Sequence, residues 1–248
     1  MIQEIKDLNY KYYFFVDDNI CNDENYAKDF FRALIPLKIK WIGQASISIA
    51  HDVELLNLMK TSGCFGILIG FESLNGESLK KMNKSFNLAM GGYDEAVQKI
   101  HHSGIKIYAT FVFGYGDDDE MVFKKTYDFV IKHKFFMAAF NHLVPFPGTP
   151  LYQKFKQENR LIYDHWWLEP SYSFGQIAFK PKNISPSELE FLCYKYRRKF
   201  YSWRSIMIRA FNFKTNCSSL ESLFVFLLIN IMSKIDVKKR QGLSLGKD

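Results

Sequence analysis

The feature that most constrains this chain is a repeated alternation between short apolar runs and longer segments with helical spacing. The apolar runs lie at 12–16, 39–46, 65–71, 105–113 and 136–144. Each is mostly apolar rather than polar at every second position, which is typical of strands covered by helices in a parallel sheet. The pattern therefore predicts an α/β fold of repeated strand–helix units around a buried parallel sheet.

Helical spacing and capping residues predict the elements between the strands. Helices are expected over 24–34, from the N-cap Asp52 to 61, over 77–82, over 93–102 and over 120–133. After the turn-rich segment 145–150 no further strand–helix unit is evident, so a boundary is predicted near residue 150. Residues 151–248 are expected to form an aromatic-rich, mainly helical region. Within it Ser185-Pro186 opens a long helix with Leu189, Leu192, Tyr196 and Phe200 on one stripe.

Charge and cysteine content limit the kinds of partner and site. The net charge of +7 is scattered among acids, so no nucleic-acid partner is predicted. One basic cluster, Lys234 to Arg240, follows the apolar window 223–232, and predicts either a weak contact with a membrane surface or a solvated end. That window is too short to span a bilayer and is expected to form a buried helix. Four dispersed cysteines and no secretion signal favour a reducing, cytoplasmic location without a zinc site or disulfides.

Polar residues follow every predicted strand. The active sites of parallel (β/α) barrels lie at the carboxyl ends of the strands, because the loops there converge. The candidate residues at these ends are Asp17, Asp18, Asn19, Gln44, Ser46, Glu72, Ser73, Gly114, Tyr115, Asp117, Asn141 and His142. Aspartate, asparagine and glycine are also common helix caps and turn residues, and a strand-end histidine can be purely structural. Glu72 fits that alternative less well, since glutamate is a weak cap.

Five motifs in this order resemble cobalamin-binding-domain radical S-adenosylmethionine proteins. The resemblance covers about residues 4–210 and is nearest to the branch with a carboxy-terminal domain of unknown function, loosely related to hopanoid methylases. The motifs are Phe14-Phe15-Val16-Asp17-Asp18-Asn19-Ile20, Trp41-Ile42-Gly43-Gln44, Gly70-Phe71-Glu72-Ser73, Thr110-Phe111-Val112-Phe113-Gly114-Tyr115 and Pro145-Phe146-Pro147-Gly148-Thr149-Pro150-Leu151-Tyr152.

The resemblance implies a partial TIM-type barrel of six strands, of which the predicted strands correspond to the second to sixth. It also implies roles at S-adenosylmethionine. Asp17 to Asn19 would meet its amino group, and Glu72 would lie near its ribose and carboxylate. Gly114 with Tyr115, and the segment 141–144, would border adenine on either side.

The chain departs from the resemblance at the metal centre. Relatives of this kind carry C-x-x-x-C-x-x-C after the first strand, which supplies three thiolates to a [4Fe–4S] cluster, and an upstream domain that binds cobalamin. Neither is present in this sequence. Both cofactors are therefore implied by the family but lack binding motifs here. The expectation is a carboxy-terminal fragment that is inactive alone, since reductive cleavage to a 5′-deoxyadenosyl radical needs the cluster.

The resemblance implies radical chemistry, such as methyl transfer to an unactivated carbon of a small, lipid-like substrate. Two alternatives stay open. One is a non-catalytic binding or scaffold module derived from the barrel. The other is an unrelated barrel hydrolase in which Glu72 and Asp17 act as an acid–base pair.

The first predicted strand also carries a prediction about association. If run 12–16 lies at the edge of the sheet, its backbone is unpaired on one side, and none of its residues is charged or proline. Residues 1–10 are expected to form a short helix near this edge, too small to cover it. The isolated chain is therefore predicted to aggregate or to oligomerise.

Overall fold

Five parallel strands form one sheet in which neighbours in space are also neighbours in sequence. The computed structural model describes residues 1–74, 92–116 and 118–244. The strands are β1 (Tyr12–Phe14), β2 (Lys40–Gln44), β3 (Cys64–Glu72), β4 (Lys106–Phe113) and β5 (Met137–His142). Because each connection returns to the adjacent position in the sheet, the strands wind in one direction and the sheet curls into a half-barrel. The predicted fold class, a partial TIM-type barrel followed by a helical region, is confirmed.

Helices follow the strands and then form the carboxy-terminal region. They are α1 (Ile2–Leu8), α2 (Glu24–Leu34), α3 (Val53–Thr61), α4 (Gly92–His102), α5 (Glu120–Lys132), α6 (Pro150–Gln157), α7 (Pro186–Phe200), α8 (Trp203–Ala210) and α9 (Leu220–Arg240). The helix predicted over 77–82 lies outside the described residues.

Helix starts are fixed by side chains that the sequence makes visible. Asp23, Asp52 and Asp119 accept hydrogen bonds from the backbone N–H groups of the first turns of α2, α3 and α5. Ser185 does the same for α7, where proline occupies the first helical position. These caps explain why the predicted starts agree closely with the observed ones.

The core lies between the convex face of the sheet and the helices. Its largest members are aromatic, among them Phe71, Phe111 and Phe140, each with no exposed surface. Trp41 is buried beside Phe31 and donates from Nε1 to the hydroxyl of Ser62 at 3.1 Å. Burial of whole aromatic side chains is the main source of stability in a core of this kind.

The concave face of the sheet is open, and here the expectation of a buried sheet is wrong. Tyr12, Phe14 and Ile42 on this face are 65%, 57% and 43% exposed. Phe14 is the register partner of Ile42, so the two side chains lie on the same face. The apolar run is continuous because one face packs on helices and the other lines the inside of an incomplete barrel. Run 12–16 also forms a shorter strand than predicted, ending at Phe14.

The chain beyond residue 150 packs on the same core. The predicted stripe on α7, Leu189, Leu192, Tyr196 and Phe200, is buried in one cluster with the strands. The apolar window 223–232 does form helix, within α9, but only Phe226 and Asn230 of it are fully buried, while Phe224 and Leu228 remain exposed. Among the described residues, no helix has the length and apolar character needed to cross a membrane.

Candidate functional site

The carboxyl ends of the five strands form one edge of the half-barrel, and ten of the predicted site residues lie along it. Asp117 lies outside the described residues. Parallel strands bring these ends together because every strand points the same way. The residues concerned are Asp17, Asp18, Asn19, Gln44, Glu72, Ser73, Gly114, Tyr115, Asn141 and His142. Their surroundings differ from strand to strand.

The loop after β1 presents two carboxylates and uses an asparagine as a structural link. Asp17 and Asp18 are exposed, and in the described part of the chain neither forms an ion pair with a lysine, arginine or histidine. The side-chain oxygen of Asn19 accepts from the N–H of Cys21 at 3.3 Å and from the N–H of Ser46 at 3.4 Å. Asn19 therefore ties this loop to the end of β2, whereas the two aspartates face solvent.

Gln44 ends β2 on the open face of the sheet. It follows the exposed Ile42 at the alternate position and is the register partner of Leu68 in β3. Its backbone carbonyl accepts from the N–H of Ile20 at 3.0 Å, which fixes the loop after β1 against this strand. The Gln44 amide is thus held on a well-anchored backbone at the mouth of the half-barrel.

Glu72 ends β3 in a backbone conformation that non-glycine residues seldom adopt. Its φ is 62°, and the pairing with β4 shifts register between Gly70 and Glu72. Left-handed conformations of this kind cost energy and are concentrated at functional sites and turns. The neighbouring Ser73 is buried, and the hydroxyl of Tyr93 donates to the carbonyls of Phe71 at 2.9 Å and Ser73 at 3.5 Å. A bulge with a second anchor therefore sets the direction of the Glu72 side chain.

Gly114 ends β4, and the absence of a side chain there has a packing reason. Its φ is 93°, and a Cβ would lie 2.7 Å from Leu189 Cδ2 and 3.0 Å from Phe179 Cζ. The N–H of Gly114 donates to the buried carboxylate of Asp118 at 2.8 Å. On this side the carboxy-terminal region occupies the space near Gly114. The predicted contact of its backbone with an adenine ring is untested.

A cavity of about 470 Å³ opens beside the ends of β4 and β5. Val112 and Asn141 are register partners and line it from the open face of the sheet. Aromatic side chains of the carboxy-terminal region form its other wall, namely Phe146, Trp166, Tyr172 and Phe174. Trp166 is held by donation from Nε1 to the carbonyl of Pro145 at 2.9 Å, and Tyr172 by donation from its hydroxyl to the carbonyl of Gln176 at 2.9 Å. A cavity with a rigid aromatic wall and one amide suits a flat, largely apolar group.

His142 and Arg197 provide the polar groups of this cavity. Burial lowers the pKa of His142, and nearby Arg197 adds to the effect, so the imidazole is neutral at pH 7. Its Nδ1 lies 3.0 Å from the carbonyl of Leu143, which identifies the protonated nitrogen as Nδ1 and leaves Nε2 as an acceptor. Burial also lowers the pKa of Arg197, whose Nε donates to the carbonyl of Cys193 at 3.3 Å.

The aromatic wall and Arg197 were not among the predicted site residues. Trp166, Tyr172 and Phe174 belong to an irregular segment whose sequence has no period, so nothing in it indicates which face each ring presents. Arg197 lies one helical turn after the buried Cys193 on α7. That spacing was the available signal, because residues four apart share a helix face.

The described residues do not fit an iron–sulfur cluster. Cys21, Cys64 and Cys193 are buried. Burial raises the pKa of Cys21 and Cys193 to about 12, so these thiols stay protonated, whereas cluster ligands are thiolates. No group of three histidine, cysteine, aspartate or glutamate side chains in the described ranges is arranged to hold a metal ion. The exposed carboxylates of Asp17 and Asp18, by contrast, are suited to the ammonium of S-adenosylmethionine.

Known methyltransferases are similar to this chain in sequence. It is 33% identical over 195 residues to bacteriochlorophyllide d C-12(1)-methyltransferase of Chlorobaculum tepidum, a match that covers 79% of this chain and 41% of that protein. It is 24% identical to the C-8(2)-methyltransferase of the same organism, covering 66% and 36%. It is 27% identical to hopanoid C-2 methylase of Rhodopseudomonas palustris, covering 61% and 30%. The chain thus spans less than half the length of these curated relatives, and no family model matches it.

A solved structure supports the fold independently. The radical S-adenosylmethionine methyltransferase TsrM of Kitasatospora setae, solved with cobalamin and a [4Fe–4S] cluster bound, superimposes with a TM-score of 0.54. The match covers 77% of this chain and 39% of TsrM, at 17% sequence identity. The curated relatives named above are therefore methyltransferases, and over the matched part this chain shares the fold of TsrM.

Proposed function

We propose that this chain supplies the S-adenosylmethionine-binding half-barrel of a cobalamin-dependent radical methyltransferase. The observation that carries the proposal is the carboxyl edge of the sheet, where the strand ends present groups suited to different parts of one cofactor molecule. Sequence similarity to three methyltransferases supports the same assignment. The proposed reaction is methyl transfer to an unactivated carbon, and S-adenosylmethionine and cobalamin supply this chemistry when they are bound.

Each strand end has a task in this proposal that follows from its chemistry. Asp17 and Asp18 accept hydrogen bonds from the ammonium group, because their carboxylates are exposed and form no ion pair with a described residue. Glu72 directs its carboxylate towards the ribose hydroxyls from a bulge that fixes its backbone. Gln44, Ser73, Gly114 and Tyr115 lie between these groups along the edge. Asn141 offers an amide to adenine beside the aromatic wall.

The substrate is proposed to lie on the concave face of the half-barrel. That face carries exposed apolar side chains, Phe14 and Ile42 among them, and the cavity at its upper end is lined by aromatic rings. A neutral His142 with Nε2 as acceptor, and the Arg197 guanidinium, are the groups available to orient a polar substituent. A flat, apolar small molecule, including a lipid-like one, fits these surroundings.

A second candidate function, a binding module without catalysis, is favoured by the buried, protonated thiols. Both candidates require the same binding edge. They differ in whether the chain takes part in methyl transfer when the cluster and cobalamin are supplied by other polypeptide segments.

Calorimetry with S-adenosylmethionine tests the binding edge. We expect weak binding by the chain alone, with a dissociation constant of about 0.1–1 mM, because hydrogen bonds and adenine contacts act without an iron chelate. Glu72→Gln and the double variant Asp17→Asn, Asp18→Asn should each weaken binding at least fivefold. Glu4→Gln, which alters an exposed carboxylate on α1, is the matched control and should bind as the parent does. Unchanged affinity in both site variants would remove the support for this edge.

A further inference from the structure

A second cavity, of about 560 Å³, lies at the opposite edge of the sheet, among the amino ends of the strands. Strands β1 to β4 start here, with Tyr12, Lys40, Cys64 and Lys106 in its wall. The first turn of α9 lines another side through Ser219, Glu221 and Ser222. The cavity is therefore distinct from the binding edge at the carboxyl ends, although it shares Phe14 and Ile42 with the apolar face proposed for the substrate.

Lys106 is the most unusual group in this cavity. Lys106 is only 5% exposed, although lysine is rarely buried without a partner. In the described part of the chain its ammonium forms no hydrogen bond or ion pair, and its one specific contact is the ring of Phe65, whose centre lies 3.9 Å away. Burial lowers its pKa to about 8, so it remains mostly charged at pH 7.

Two further lysines surround the same space. Lys60 and Lys40 line the same cavity as Lys106, and their charges lower its pKa, while the charge of Glu221 raises it. The ammonium of Lys60 donates to the carbonyl of Gly104 at 3.2 Å. Glu221 is the acidic side chain of this lining, and it is exposed. Like charges gathered in this way are unfavourable unless an anion joins them.

The start of α9 adds a positive field. This helix has 21 residues, and Ser219 caps it by accepting from the N–H of Ser222 at 3.0 Å. The amino end of a helix carries a partial positive charge that favours anions. The hydroxyls of Ser218 and Ser222 donate to the carbonyl of Thr215, so they hold the turn rather than a ligand.

The remaining wall is apolar and indicates the rest of the ligand. Phe14, Ile42 and Val225 face the cavity beside the lysines. We infer that this cavity binds an apolar small molecule through its phosphate or carboxylate group, with Lys106, Lys60 and Lys40 around the anion. The apolar body lies against the concave face of the sheet. Neither S-adenosylmethionine nor the binding edge at the carboxyl ends is needed for this site.

Calorimetry with three probes tests the inference. 1-Naphthyl phosphate and 1-naphthoate carry the two candidate anions on one apolar body, and 1-naphthalenemethanol is the neutral control. We expect at least one anion to bind, and the alcohol to bind at least tenfold more weakly. Absence of binding by both anions up to about 5 mM, or equal binding of the alcohol, would overturn the inference.

Variants of single lysines locate the binding. Lys106→Met should weaken binding of the preferred anion at least tenfold, and it should raise the thermal midpoint of the free protein because a buried charge is removed. Lys40→Met changes an exposed side chain, so folding is not at risk, and should weaken binding about threefold. Lys154→Met, an exposed lysine of α6, is the matched control and should bind normally. Parental affinity in both Lys106→Met and Lys40→Met would refute the site, and competition by S-adenosylmethionine would place the probe at the other edge.

Discussion

The buried guanidinium of Arg209 joins three parts of the fold, and its removal gives a sharp prediction. Arg209 lies on α8 with no exposed surface, and no described carboxylate forms an ion pair with it. All of its nitrogens donate, at 2.9–3.1 Å, to the hydroxyl of Ser205, the carbonyls of Phe135, Phe136 and Phe200, and the side-chain oxygen of Asn230. The ring of Phe200 lies 3.7 Å from the guanidinium carbon.

The expected loss can be worked out from these contacts. In Arg209→Met three buried acceptors, the carbonyls of Phe135 and Phe200 and the Asn230 amide oxygen, lose their donor, at roughly 1–3 kcal/mol each. The carbonyl of Phe136 keeps the Asn230 amide as a donor, at 3.2 Å. Removing the charge offsets part of this, because burial lowers the pKa of Arg209 from 12.5 to about 9, equivalent to about 5 kcal/mol. Loss of the cation–π contact with Phe200 adds about 2 kcal/mol. We therefore expect a net loss of about 3 kcal/mol in the free energy of unfolding.

Urea unfolding followed by circular dichroism and tryptophan fluorescence measures this loss. Arg204→Met removes an exposed arginine from the same helix and should change stability by less than about 0.5 kcal/mol. Arg209→Lys keeps a charge but cannot reach all the acceptors, so it should also lose more than about 2 kcal/mol. A loss under about 1 kcal/mol in Arg209→Met would refute the argument, since the carbonyls would then have found other partners.

Three further predictions concern packing, pH and metal. Gly114→Ala should lower the free energy of unfolding by about 2–4 kcal/mol, because strain at a φ of 93° is combined with the clash on Leu189. Gly148→Ala, with a φ of 80° and open space around the Cβ position, should lower it by only about 1–2 kcal/mol. Equal losses in the two variants would contradict the clash. Burial lowers the pKa of His101 to about 3, so the unfolded chain takes up the proton first as pH falls below about 6.5. The free energy of unfolding should therefore fall between about pH 6.5 and 3, by up to about 1.4 kcal/mol per pH unit. In urea unfolding repeated across this range, His101→Phe should reduce this pH dependence, and His102→Phe should leave it unchanged. Reconstitution with iron and sulfide should give no stoichiometric cluster, and about four irons per chain with a cubane spectrum would contradict this.

Much of the fold follows from the sequence because its signals are local. Continuous apolar runs identified all five strands, and Asp23, Asp52, Asp119 and Ser185 fixed the helix starts through their caps. The openness of the concave face was not foreseen. A mostly apolar run does not show whether the second face of its strand has a covering element in the described chain.

The site could be predicted only in outline. Because the ends of parallel strands converge, the sequence predicted that Asp17, Gln44, Glu72 and Asn141 lie along one edge. It did not predict that Asn19 links two loops while the aspartates beside it are exposed. The aromatic wall depends on contacts between segments far apart in sequence. Lys106 gave no signal either, since its burial arises from the lysines, rings and helix that the fold gathers around the amino ends.

Hydrogen–deuterium exchange with and without saturating S-adenosylmethionine tests the central claim, that the carboxyl edge of this half-barrel binds the cofactor. We predict slower exchange in peptides that cover Asp17 to Asn19, Glu72 with Ser73, Gly114 with Tyr115, and Asn141 to Val144. Peptides that cover the amino ends of the strands, at Lys40, Cys64 and Lys106, should exchange as in the free protein. Protection confined to the amino ends, or none at any strand end under conditions where calorimetry shows binding, would contradict the assignment.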